Sequence, residues 1–343
     1  VTPRRAPLAL FVLWLSAAIG CQDDLPRASE IKQMRVLGGR TEVQGDSARS
    51  TPRPGETASV TWSMAYPDLK QDDSQLASLF VSCTAPMQFS GQPVCQELLD
   101  AAQGSNSLVA ILAGAGGLTR APKCADEPNQ RIEAGPFSLV CVTGTPQSDV
   151  KIETSFRAHA KLIQGIICRN GAPVLDTDEP TGARCEPRSG VKASEVESIA
   201  VYGTVPVQYK DADANHNPSL DLDAVRFAFG KNELDWPELT SDEVGELADD
   251  CAVAAVDQQV LSSNGLDEQI VIEYDAQARE LRAGKPEPLE FSTYTTLGRL
   301  DRRFTVFPSD AKPPLKGTLH WEVSKDLRDK LGDRSQLVRF YFT

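Results

Sequence analysis

The densest run of metal-capable side chains is Asp211-Ala212-Asp213-Ala214-Asn215-His216-Asn217-Pro218-Ser219-Leu220-Asp221-Leu222-Asp223. Oxygen ligands at alternate loop positions suit a hard cation such as calcium, which gathers about six to eight oxygens at about 2.4 Å. Asp211, Asp213, Asn215 and Asn217 fall at the first, third, fifth and seventh positions of an EF-hand-like loop, and Asp221 is a further candidate ligand. Two departures matter. His216 stands where such loops carry the turn glycine, and Leu222 stands where a bidentate Glu closes the shell. The spacing therefore fits either a calcium site of non-EF geometry or an Asx-rich surface loop whose side chains bond their own backbone.

Catalytic chemistry finds less support. The chain has three histidines. His159 and His320 fall on the polar faces of strand-like runs, and His216 lies in the loop above. A Ser-His-Asp triad needs its nucleophile on a strained turn beside an oxyanion hole, and no G-x-S-x-G occurs. Gly114-Ala115-Gly116-Gly117 continues as Leu118-Thr119-Arg120 rather than the G-K-[ST] of a phosphate loop. Glycosidase chemistry needs two opposed carboxylates, and 48 acidic residues single out no pair. The chain reads as non-enzymatic, with an envelope hydrolase built from scattered residues as the alternative.

Eight cysteines are present. Cys21 stands apart at the N-terminal end, which leaves Cys83, Cys95, Cys124, Cys141, Cys168, Cys185 and Cys251. None has C-x-x-C spacing, so zinc and thioredoxin-like readings have little support, and disulfides are expected in an exported chain. Proximity favours Cys83–Cys95, Cys124–Cys141 and Cys168–Cys185, with Cys251 unpaired. A rival remains open. Cys83 shares a strand face with Leu79 and Val81, and Cys141 shares one with Phe137 and Leu139, so the two are also placed to bridge facing sheets.

The N-terminal twenty residues carry an address. Arg4 and Arg5 precede an apolar run from Leu8 to Gly20, broken only by Ser16. That run is too short for a layer needing about twenty residues, and a positive start followed by a short apolar stretch is an export-signal pattern. Ala18-Ile19-Gly20-Cys21 resembles the lipobox of bacterial lipoproteins, with Ala18 where the family usually has Leu. The resemblance implies a signal peptide over 1–20, lipidation of Cys21 and anchoring in the cell envelope, most simply the outer membrane. The alternative is an ordinary secreted protein cut after Gly20. Several acyl chains hold firmly, since each buried CH₂ contributes about 0.8 kcal/mol. Residues 21–31 then read as a polar tether.

The formal charge of −13 argues against nucleic acid, which needs clustered Lys and Arg. It also gives an anionic bilayer nothing to attract, so the lipid has to do the holding. The acidic surface itself serves solubility.

The elements expected to position all this are strands. Val60, Trp62, Met64 and Tyr66 alternate with Thr61, Ser63 and Ala65, the period of a half-buried strand, after a turn at Arg53-Pro54-Gly55-Glu56. Leu79–Cys83, Phe137–Cys141 and Ile152–Leu162 are read as further strands. So are runs around Val225–Phe229, Gln269–Tyr274, Phe291–Thr295, Arg303–Phe307, Leu319–Val323 and Val338–Phe342. Thr240 with Glu243 begins a capping-box helix over 240–254, and a second helix over 324–331 ends at Gly332. Between Asn170 and Lys192 the periodicity is lost among Gly, Pro, Asp and Arg.

Many short strands and turns predict an all-β chain of two loosely Ig-like β-sandwich domains, with barrels as the alternative. Domain one is set at 32–168, a linker at 169–192 and domain two at 193–343. Arg35-Val36-Leu37-Gly38, Pro54-Gly55-Glu56 before a Trp strand, Asn215-His216-Asn217-Pro218 and Thr296 to Arg303 together resemble surface lipoproteins of unknown function from large-genome gliding predatory bacteria. That likeness implies envelope location and β-sandwich domains, and it brings no activity or site with it. The expectation is a membrane-anchored binding, adhesion or assembly module whose partner is a protein or a polysaccharide.

Overall fold

A computed structural model describes residues 29–67, 73–87, 95–97, 124, 129–134, 137–176, 179, 183–210, 214–217, 225–229, 232–234, 267–274, 279, 281–282, 285–312, 314–324, 329, 338 and 340–342. The strands of the first half are β1 (Arg35–Val43), β2 (Thr57–Ala65), β3 (Leu76–Thr84), β4 (Arg131–Ala134) and β5 (Phe137–Thr143). They continue with β6 (Gln147–Lys151), β7 (Ala160–Arg169), β8 (Gly171–Leu175), β9 (Ala183–Pro187) and β10 (Glu197–Pro206). The second half carries β11 (Val225–Phe229), β12 (Asn232–Leu234), β13 (Asp267–Tyr274), β14 (Leu281–Arg282) and β15 (Lys285–Pro286). It closes with β16 (Leu289–Thr295), β17 (Arg299–Leu300), β18 (Phe304–Phe307), β19 (Leu315–Glu322) and β20 (Phe340–Phe342). The protein is all-β.

A three-stranded sheet, β1-β2-β6, faces a five-stranded sheet, β10-β7-β3-β5-β4, with every pairing antiparallel. Alternation explains the first layer: Ala58, Val60, Trp62 and Met64 of β2 all point inward. They meet Leu76 and Phe80 of β3, Ile163 and Ile167 of β7, and Val201 and Val205 of β10 in one core. The Trp62 and Phe80 rings stack there at 4.4 Å and 8°.

The other face of the five-stranded sheet is also covered. Leu79, Val81, Leu139, Leu162 and Ile166 lie in a second core together with the cysteines. Burial on both faces explains why β3 reads as a continuous apolar run rather than an alternating one. Gly165 of β7 is where strands crowd most: a Cβ there would press into the Leu79 carbonyl oxygen and the Phe80 ring.

In the second half, β12-β11-β13-β19-β17 forms one sheet and β18-β16-β20 another. Leu289, Phe291, Phe307 and Leu315 pack between them, with Phe291 edge-on to Phe307 at 5.8 Å. The two halves touch. Ile31 and Ala65 share a buried cluster with Tyr294, and Glu30 bridges Thr295 in parallel register, with Ile31 N donating to Thr295 O at 3.0 Å.

Three expectations need correction. The run 152–162 is not one strand: β6 ends at Lys151, the chain turns through 154–159, and β7 begins at Ala160. Ile152 and Phe156 are buried as their alternation suggests, but a turn closed by Phe156 N donating to Glu153 O brings them in. The stretch 169–192 is not a linker. It holds the β8–β9 hairpin, and Cys185 of β9 is bonded to Cys168 of β7. Nor does the first sandwich stop at Cys168, since Glu197–Pro206 pairs with β7 along its whole length. The expected helix at 240–254 lies outside the described residues, as does the one at 324–331 apart from Ser324 and Asp329.

Candidate functional site

The disulfides formed are the local set, Cys83–Cys95, Cys124–Cys141 and Cys168–Cys185. Their placement follows from strand parity. Cys83, Cys141 and Cys168 sit on the adjacent strands β3, β5 and β7 and point to the same face of the sheet. Each is bonded to a residue outside that sheet. The bonds thus staple a cover over the outer core instead of joining the two sheets. Three such bonds mark an extracytoplasmic protein. No helix among the described residues is long and apolar enough to cross a membrane. Cys21 and Cys251 lie outside the described residues.

Of the calcium candidates, Asp211, Asp213 and Asp221 lie outside the described residues. Asn215 and Asn217 are described, and both dock their loop onto the β1–β2 hairpin. Asn217 Nδ2 donates to the carbonyls of Thr41 at 2.7 Å and Ser47 at 3.2 Å. Asn215 Nδ2 donates to Ser50 Oγ, while its carbonyl accepts from Ser50 N and Oγ at 2.7 and 2.8 Å. His216 bridges Arg49 in antiparallel register.

Beneath this strap Arg49 is the hub. Its guanidinium reaches Asp46, the Thr51 carbonyl, Gln208 Oε1 and both oxygens of Glu56. The Glu56 hydrogen bonds hold Arg49 above its usual range, and the same contact leads in holding Glu56 below its own. Arg49 and Glu56 bond to each other and to their neighbours, so the cluster locks the hairpin, while the buried Gln208 Nε2 is left without a partner among the described residues.

The single grouping of three metal-ligating side chains among the described residues is Cys83, Cys95 and Glu97. Its sulfurs are bonded to each other, and the Glu97 carboxylate accepts from Thr84 N. No thiolate is left there for an ion. None of the three histidines lines either of the two grooves that follow.

The larger groove, about 530 Å³, lies at the β8–β9 hairpin, where Arg188 is tied to the Leu76 carbonyl at 3.2 Å. The other, about 400 Å³, runs between β1 and β10, the neighbouring edges of the two sheets. Its floor is Val60, Trp62, Ile163, Val201 and Val205. Gly38, Gly39 and Thr41 form one rim, and Ala200, Tyr202 and Thr204 the other, with Tyr202 67% exposed. None of its fourteen lining residues is charged, in a chain that is 24% charged.

A bulge between Val36 and Gly38 twists β1 at the groove's edge. Glu197 pins one end, accepting from Met34 N at 3.3 Å and pairing with Arg169 at 3.2 Å. Sequence reasoning misses this groove, because neither strand identifies its spatial neighbour. The available signal is Gly38-Gly39 in one strand and an exposed Tyr202 beside Gly203 in another.

Compared with models of known protein families, with curated proteins and with solved structures, the chain matches none.

Proposed function

We propose that this chain is a lipid-anchored protein of the bacterial cell envelope, held through Cys21 in the outer membrane, and that its β-sandwich body binds a partner rather than catalysing a reaction. The observation that carries the reading is the groove between β1 and β10. It is open, uncharged and apolar-floored, with no Asp, Glu, His, Cys, Lys or Arg among its lining residues. Hydrolytic chemistry needs convergent acid, base or nucleophile, whereas recognition needs shape and desolvated surface. The buried disulfides support the same setting, because a stapled scaffold keeps its shape outside the cell's reducing interior.

The test is expression of the full chain in a Gram-negative host fed labelled palmitate. The protein should incorporate label and fractionate with membranes, and Cys21→Ser should lose both properties. An unlabelled wild-type protein, or a Cys21→Ser variant that still carries label, would refute the anchor.

A further inference from the structure

We propose that the β1–β10 groove captures an extended, uncharged peptide segment of a partner protein by β-strand addition, with β10 as the templating edge. This rests on the binding-module reading and supplies its mode.

Main-chain chemistry comes first. β10 pairs with β7 through all ten of its residues, and β1 pairs with β2 from Arg35 to Val43. Each strand thereby has one satisfied side and one side facing the groove. No backbone hydrogen bond joins β1 to β10 among the described residues. In an antiparallel ladder alternate residues turn their N–H and C=O away from the partner. The groove is therefore flanked by two rows of main-chain donors and acceptors, and what complements such a row is another extended backbone.

Natural sheets blunt open edges with charged side chains. Here the far edges are charged, β1 carries Arg35, Arg40 and Glu42, and β10 alone is left without such protection along its middle. β4, at the far edge of the five-stranded sheet, carries Arg131 and Glu133, and β6, at the far edge of the three-stranded sheet, carries Asp149 and Lys151. Between Ser198 and Val205 of β10 there is no charged residue. The edge that should be most defended against pairing is the one left open to it.

Side-chain chemistry selects the occupant. The uncharged lining would leave a charged side chain without a partner and desolvated. A second copy of this chain would add another net −13 to the complex as a whole, so a different protein is favoured. Trp62 and Val201 on the floor suit apolar side chains projecting from every second position of an inserted strand. Gly38 and Gly203 hold space open: a Cβ built on either meets nothing within 4 Å, so neither glycine is needed for internal packing.

The experiment is selection of a random peptide display library against the full-length protein, using nine-residue peptides, the length of β1. The strongest binder is then synthesised and its affinity measured against wild type, Gly38→Lys and Gly203→Lys. A second peptide carries N-methyl groups on alternate amides, which removes main-chain donors and leaves the side chains unchanged. Enriched peptides should be free of charge with apolar residues at alternate positions. Each lysine variant and the N-methylated peptide should bind at least about tenfold more weakly, with wild-type melting behaviour in the variants. No enrichment, or binding that survives both lysine substitutions or N-methylation, would overturn strand addition. Should a lysine variant fail to fold, the N-methylated arm decides alone. Peptides that bind elsewhere would sink the groove while leaving a binding module, whereas failure of palmitate labelling sinks the anchor and leaves the groove intact.

Discussion

The guanidinium of Arg49 and the carboxylate of Glu56 meet at two points, Nη1 to Oε2 and Nη2 to Oε1, each at 2.9 Å. Glu56 also accepts from Arg53 N at 2.7 Å, so one side chain closes the turn before β2 and fixes the hub under the 214–217 strap.

Replacing Glu56 with Gln should therefore cost about 1–2 kcal/mol, below the upper range for charged hydrogen bonds because the carboxylate is partly solvated. The pH dependence follows from sign. Arg49 holds the folded-state pKa of Glu56 below its ordinary 4.5. The stabilisation is complete above that value and is lost as pH falls through the depressed folded pKa. Thermal melts of wild type and Glu56→Gln should differ at neutral pH and converge as pH falls through the depressed pKa of Glu56.

Asn217 separates the two readings of its loop. As a strap residue, Asn217→Asp removes the donor to Thr41 and Ser47 and sets a carboxylate against their carbonyls, a loss of about 2 kcal/mol. That loss should be the same in millimolar calcium and in chelator, with wild-type melts superimposing in the two buffers. A calcium ligand would behave oppositely, with Asn217→Asp gaining about 2.7 kcal/mol at a hundredfold excess of calcium over its dissociation constant.

Cys168 and Cys185 are 17 residues apart. A Cys168→Ser/Cys185→Ser double variant should lose about 3 kcal/mol from the loop-closure contribution alone. Hydrogen exchange should show β8 and β9 losing protection first, while β2 in the other core keeps its own.

Gly165 and Gly203 form an internal comparison. Gly165→Ala drives a methyl into the backbone of β3, which cannot yield as a side chain can, and should cost about 3 kcal/mol or more. Gly203→Ala meets open space and should stay within about 0.5 kcal/mol of wild type by denaturant titration.

These contrasts trace how far local pattern reaches. The alternation of Val60, Trp62 and Met64 identifies β2 because one face of that strand meets a core and the other meets water. The apolar run of β3 is legible for the opposite reason, burial on two faces. The stretch 152–162 misleads because a turn buried at Ile152 and Phe156 repeats the same two-residue period without any ladder. The β8–β9 hairpin hides because its Gly and Pro content resembles a linker and its anchor is a covalent bond to β7. Asn215 and Asn217 are visible as polar loop residues, but whether such amides face an ion or a neighbouring hairpin depends on residues 41–51, far away in sequence. The groove has no local signature at all, since it exists only where two edges from different sheets come together.

The parallel bridge between Glu30 and Thr295 has a mechanical consequence. If the proposed lipid on Cys21 is the attachment point, eight peptide steps lead from it to Ser29, a reach of at most about 28 Å. Thr295 N donates to Ser29 O, and Ile31 N donates to Thr295 O. A pull applied through that segment would thus reach β16 of the second half before it reaches β1 of the first. The load would pass along a parallel contact as shear, which strains its two hydrogen bonds together instead of peeling them one by one. The body would be tugged at the seam between its halves, and the β1–β10 groove would keep its shape under tension.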